Sequence, residues 1–186
     1  MVKDFLKITK KVLQNIVHRK VNMLALFIGG IKSGKSKNAE LFTLKYASNK
    51  PIYLATNEFF DDEMIVRVNK HKLQRQDNFI TIEEPLELSF IISKQTDIVL
   101  VECVSMWINN MLYHSKTEQD MIEEIEKLRH LHQRIIFVVN DVSCSVVSEN
   151  KLVREFVDIN GRISQLLASS CQEVYNTVAG ISVKIK

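Results

Sequence analysis

Leu24-Ala25-Leu26-Phe27-Ile28-Gly29-Gly30-Ile31-Lys32-Ser33-Gly34-Lys35-Ser36 begins as an apolar run and ends as a complete G-x-x-x-x-G-K-S phosphate loop. The apolar run predicts a short buried strand. The glycines let the chain turn tightly, so that successive backbone N–H groups face an anion. In that arrangement Lys35 reaches the β and γ oxygens of a bound nucleotide, and the Ser36 hydroxyl joins the shell of a Mg²⁺ ion. A helix is predicted from about Ser36 to Tyr46, with its positive end aimed at the same anion. Strand, glycine turn and helix, in that order, imply an α/β fold with a nucleoside triphosphate site.

Beyond this stretch the pattern alternates. Strand-like apolar runs are predicted at 51–55, 79–82, 98–101 and 135–139. Helical patterns lie between them at 62–75, 86–93, 107–113 and 118–132. Units of this kind build a mostly parallel sheet buried on both faces. A last helix is expected at about 152–170. The tail then alternates over 174–178 and 181–185 around Ala179-Gly180, which predicts a closing hairpin. The chain has 186 residues, 46% of them hydrophobic and 25% charged, a size and balance that suit one globular domain.

The formal net charge of +3 is concentrated at one end: residues 1–22 carry six Lys and Arg against Asp4, which leaves −2 on the remainder. The body therefore has no basic excess to attract nucleic acid. Within residues 1–22, Phe5, Ile8, Val12 and Ile16 recur at helical spacing between lysines. This reads as an appended solvated helix, or a translated leader ahead of Met23, in preference to a membrane-surface helix. The catalytic domain is accordingly expected at 23–186. Cys103, Cys144 and Cys171 lie far apart with no C-x-x-C spacing. That pattern suits neither a zinc site nor a disulfide framework and points to the cytoplasm.

Parallel sheets bind ligands at the carboxyl ends of their strands, and this selects what to inspect. The run 98–101 ends in Glu102, where phosphate-loop proteins place an acid that organises Mg²⁺ together with Ser36. The plainer reading is a carboxylate capping a helix near Ser105. The run 135–139 ends in Asn140-Asp141, suited to a substrate or to an ordinary turn. Arg67, His71 and Arg75 recur every four residues and share one helix face. Flanking cations favour a neutral, nucleophilic imidazole and a polyphosphate partner. On spacing alone, however, His71 reads as a solvated histidine. Asn150, Arg154, Asp158 and Arg162 form a second row, for which i,i+4 ion pairing between Asp158 and Arg162 suffices.

Read in order, these segments resemble the bifunctional adenosylcobinamide kinase / adenosylcobinamide-phosphate guanylyltransferase family of cobalamin assembly. The resemblance runs through the phosphate loop, Tyr53-Leu54-Ala55-Thr56, Asp62-Glu63-Met64 with Arg67, His71 with Arg75, and Thr81 with Glu83. It continues through Glu102-Cys103, Trp107, Asn110, Asn140, Asn150, Arg154, Asp158, Gly161 and the terminal Gly180-Ile181-Ser182-Val183-Lys184. It implies a RecA-like phosphate-loop fold and a homotrimer. It implies two reactions, with GTP or ATP, adenosylcobinamide and adenosylcobinamide phosphate as the molecules bound. The aminopropanol hydroxyl of adenosylcobinamide is phosphorylated first. GMP then passes from GTP, through a guanylyl-histidine on His71, to the new phosphate. Nucleotide contacts carry over to Gly29, Gly30, Ile31, Lys32, Ser33, Gly34, Lys35 and Ser36. They carry over also to Ala55, Thr56, Asn57, Lys72, Leu73, Gln74, Arg75, Glu83 and Glu102, with Ser36 and Glu102 toward Mg²⁺. The resemblance reverses the plain reading of His71.

The chain departs from the family pattern at Ser143-Cys144-Ser145, where two glycines are usual, and at Gln76, Phe79, Ser148 and Ser164. A loop that needs glycine for a positive φ or a close approach is altered there. Two alternatives stand beside the bifunctional reading: a phosphate-loop kinase acting on another small alcohol, and a catalytically idle nucleotide-binding protein.

Overall fold

The computed structural model describes residues 23–58, 77–131, 134–142 and 147–186. The segment 1–22, the predicted helix 62–75 with Arg67, His71, Lys72, Leu73, Gln74 and Arg75, and the Ser143-Cys144-Ser145 loop lie outside the described residues.

The chain opens with β1 (Met23–Gly29), the phosphate loop and α1 (Lys35–Tyr46). There follow β2 (Ile52–Ala55), β3 (Ile80–Glu83), α2 (Leu88–Ile92), β4 (Val99–Glu102) and α3 (Val104–Tyr113). Next come α4 (Glu118–His130), β5 (Ile135–Asn140), α5 (Lys151–Ser170), β6 (Glu173–Val178) and β7 (Ile181–Lys184). The expected strands and the closing hairpin are present. Two helices differ from the sequence reading. The one expected at 86–93 contracts to the single turn of α2, because Leu86 and Glu87 donate their N–H groups to the Glu84 carboxylate instead of starting a helix. The one expected at 107–113 begins at Val104, immediately after β4.

The strands form one sheet in the order β3-β2-β4-β5-β1-β6-β7. All neighbours are parallel except β6 and β7. Parallel strands covered on both faces are apolar throughout, and Val99, Leu100 and Val101 of β4 are fully buried. Alternation then divides the core in two. Leu26, Leu54, Val101 and Phe137 face one layer, where Trp107, Ile125 and Leu167 from α3, α4 and α5 pack. Ala25, Phe27, Leu100 and Val138 face the other, where Ala39 of α1 packs and Phe42 borders it. There Phe27 stacks on Tyr175 at 4.7 Å and meets Phe42 edge-on. Thr117 caps α4 through a reciprocal capping box with Asp120.

The register lines up the carboxyl ends of the strands. Ala55 lies beside both Glu83 and Glu102, and Gly29 beside Asn140. Strand β5 separates β1 from β4, so the phosphate loop and Glu102 emerge two strands apart with room for a ligand between them.

Candidate active site

The loop between β1 and α1 bends through left-handed conformations at Lys32 (φ 59°) and Gly34 (φ 94°). Gly34 is needed there, since such backbone strains any side chain. Ser33 N–H donates to the Gly30 carbonyl at 3.1 Å and closes the turn. Lys35, only 6% exposed, folds its ammonium back over the loop and donates to the Gly30 carbonyl at 3.2 Å. A lysine held over a glycine turn at the start of a helix is arranged for a polyphosphate.

Across this hollow the Ser36 hydroxyl donates to Glu102 Oε1 at 2.7 Å, joining residues 66 apart in the chain. That contact sets the capping reading of Glu102 aside: the N-cap of α3 is Cys103, and Glu102 turns to Ser36. A hydroxyl and a carboxylate are hard oxygen donors of the kind Mg²⁺ takes beside nucleotide phosphates, and the pair fits that ion. A cleft of about 900 Å³ opens over the loop, lined among others by Lys32, Lys35, Ser36, Glu102, Met106 and Asn140.

Thr56 is fully buried, and its hydroxyl donates to the Cys103 carbonyl at 2.8 Å while accepting from Cys103 N–H at 2.9 Å. Asn110, equally buried, donates to the carbonyls of Thr56 (2.6 Å) and Pro85 (3.2 Å). Together they clamp the exits of β2, β3 and β4, which carry Ala55, Glu83 and Glu102. Asn57 is half-buried and Glu83 exposed at the same end of the sheet. Asn140 lines the cleft with its backbone held by Ser105 and Asn160. Burial, helped by the neighbouring Glu102 charge, pushes the Cys103 thiol up to about 11. It stays protonated at neutral pH and is no nucleophile.

The second polar row is corrected by the structure. Arg162 makes a bidentate pair with Glu118 of α4, at 2.5 and 2.8 Å, instead of pairing with Asp158. The planar guanidinium meets the carboxylate fork to fork, with two N–H···O bonds. Asn150 caps α5 and Arg154 holds the carbonyls of Ser148 and Glu149.

Sequence reading missed the β6–β7 turn as a neighbour of the loop. Gly180 N–H donates to the Ser33 carbonyl at 2.7 Å, and Asn38 of α1 donates to the Gly180 carbonyl and to Ser182 Oγ. Ala179-Gly180 was legible only as a turn.

A parallel sheet that carries a phosphate loop after its first strand, with an acid at the end of a strand two places away, defines a RecA-like phosphate-loop NTPase fold. A protein of Pyrococcus horikoshii OT3 shares this fold, with a TM-score of 0.51 at 12% identity over 89% of this chain and 87% of that one. Within that class the chain belongs to the cobinamide kinase / cobinamide phosphate guanyltransferase family, whose model matches residues 25–185. It is 35% identical over 183 residues to the bifunctional adenosylcobalamin biosynthesis protein CobU of Escherichia coli (strain K12), covering 88% of this chain and 100% of that one. It is 32% identical over 170 residues to the corresponding CobP of Pseudomonas aeruginosa, covering 88% and 98%. No helix among the described residues is long and apolar enough to cross a membrane.

Proposed function

We propose that this chain phosphorylates the aminopropanol hydroxyl of adenosylcobinamide and then transfers GMP from GTP to the new phosphate, giving adenosylcobinamide-GDP. The observation that carries the first step is the Ser36–Glu102 pair facing buried Lys35 across the phosphate loop. Mg²⁺ held by Ser36 and Glu102 would neutralise triphosphate charge. Lys35 draws negative charge from the β and γ phosphates as the bond between them lengthens. The loop N–H groups fix the donor while the acceptor hydroxyl attacks the γ-phosphorus in line; a new O–P bond forms, the β–γ bridging P–O bond breaks, the proton passes to water and the nucleoside diphosphate departs.

For the second step, family membership and the Arg67, His71, Arg75 spacing support His71 as the nucleophile. One ring nitrogen attacks the α-phosphorus of GTP; a P–N bond forms, the α–β P–O bond breaks and pyrophosphate leaves. A phosphate oxygen of the acceptor then attacks the same phosphorus, the P–N bond breaks, and imidazole is regenerated. Lys72–Arg75, Ala55–Asn57 and Glu83 are proposed as nucleotide contacts, and three copies of the chain as the working assembly.

The test is labelling with α-³²P GTP. The parent should acquire one GMP through a bond labile in acid and stable in alkali. His71→Ala should lose the label and the final transfer while keeping most of the kinase rate, since Lys35, Ser36 and Glu102 are intact. An unlabelled parent would reject the guanylyltransferase, and a labelled variant would place the nucleophile elsewhere.

A further inference from the structure

The loop and the β6–β7 turn touch more closely than strand pairing requires. β6 is already held by its ladder to β1, where Ala25–Ile28 face Glu173–Asn176. Beyond that ladder, a Cβ at Gly29 would lie 2.4 Å from the Thr177 carbonyl, and one at Gly34 would lie 2.9 Å from Gly180 Cα. Two glycines of the phosphate loop therefore serve the approach of the hairpin as well as that of an anion. The Ser33 side chain offers no anchor of its own: its hydroxyl is buried without a hydrogen-bond partner among the described residues. The Ser33 carbonyl is instead pinned by Gly180 N–H at 2.7 Å.

In a trans peptide the C=O and N–H vectors point in opposite directions. A Ser33 carbonyl drawn toward the hairpin turns the Gly34 N–H to the opposite side of the peptide. Asn38 completes the brace, donating at 3.0 Å to the Gly180 carbonyl and at 2.8 Å to Ser182 Oγ. Ser182 in turn shares a hydrogen bond of 2.8 Å with fully buried Thr177.

We propose that the β6–β7 turn is a working part of the nucleotide site: Gly180 N–H orients the Ser33–Gly34 peptide for phosphate binding, and Asn38 is the positioning residue that holds the turn in place. The inference rests on the nucleotide site proposed above. It explains why a residue of α1 makes its side-chain hydrogen bonds to a turn 142 residues later.

Asn38→Ala removes both donated bonds and leaves the β1–β6 ladder, so the fold should persist. The probes are inorganic tripolyphosphate with Mg²⁺ and a non-hydrolysable GTP analogue, with dissociation constants measured by calorimetry. Both should bind the variant about tenfold more weakly, the loss expected from one or two displaced hydrogen bonds. The ligand-free unfolding midpoint should stay within about 2 °C of the parent, as for other surface changes. Affinity for cobinamide should hold. Gly180→Ala, which strains the turn at φ 84° without meeting a neighbour, should copy the phosphate-selective loss. If Asn38→Ala yields no soluble protein, Ser182→Ala serves instead, with about a threefold loss. Unchanged phosphate affinity in a folded variant would overturn the proposal. So would a loss that extends equally to cobinamide and follows a fallen midpoint, which is the mark of packing alone. A parent that binds neither phosphate probe would overturn the nucleotide site itself.

Discussion

Lys35 is where loop geometry becomes chemistry. The residue is almost fully buried, and its ammonium donates to one carbonyl of the loop it serves. Lys35→Ala should lower phosphoryl transfer by two or more orders of magnitude, because a charge aimed at the transferring group is lost from a water-poor site. A kinase assay on the folded variant checks this, and an unchanged rate would remove Lys35 from the mechanism. Lys35 and Ser36 were legible in the sequence because a phosphate loop is contiguous: neighbouring residues along the chain are neighbours around the anion. Glu102 was legible as the strand-end acid expected to join Ser36 at Mg²⁺, with a helix cap as the plainer reading. Its hydrogen bond to Ser36, far away in the chain, is supplied by the fold. Thr56 shows the reverse. Its family match is to nucleotide contact, and its side chain is spent on the Cys103 backbone beside Glu102.

At the scale of elements, the end of the sheet away from the cleft is knit by Asp97. Its carboxylate accepts from Asn49 N–H at 2.8 Å and Ile98 N–H at 2.7 Å, and Arg134 approaches at 3.4 Å. Burial opposes the charge, yet the donated backbone hydrogen bonds outweigh it and hold the carboxyl below its ordinary value. A carboxyl depressed on folding stabilises the protein fully above its unfolded pKa, near 4, and that contribution fades as pH falls through the lower folded value. Asp97→Asn should therefore cost about 1–3 kcal/mol at pH 7, with the gap to the parent narrowing below about pH 4. Urea unfolding at both pH values measures it. Nucleotide affinity should not change, because Asp97 sits at the amino ends of the strands. A gap that widens in acid would contradict the sign. Periodicity gave the helices on either side of β5 but not their partners. Whether Arg162 bonds along α5 or across to Glu118 depends on how two helices pack, and the spacing of one helix carries no such information.

For the whole molecule, we expect residues 1–22 to be dispensable. β1 spans Met23–Gly29, and the family match starts at residue 25. A chain truncated to start at Met23 should unfold at the same temperature as the full chain and keep both activities. Loss of soluble protein or of turnover would show that the segment packs on the domain. Circular dichroism melts and paired kinase and guanylyl-transfer assays decide it.

The sequence by itself determined the α/β class, the parallel strands and the phosphate loop. Each of these is written in contiguous residues, as a period of two, a period near four, or a glycine pattern. Only the tertiary structure decided that β5 stands between β1 and β4, that Ser36 meets Glu102, and that the Gly180 turn rests on Ser33. Those are contacts between segments 36 to 147 residues apart. They follow from the order in which strands join one sheet and from which backbone groups remain to be hydrogen-bonded once they have joined.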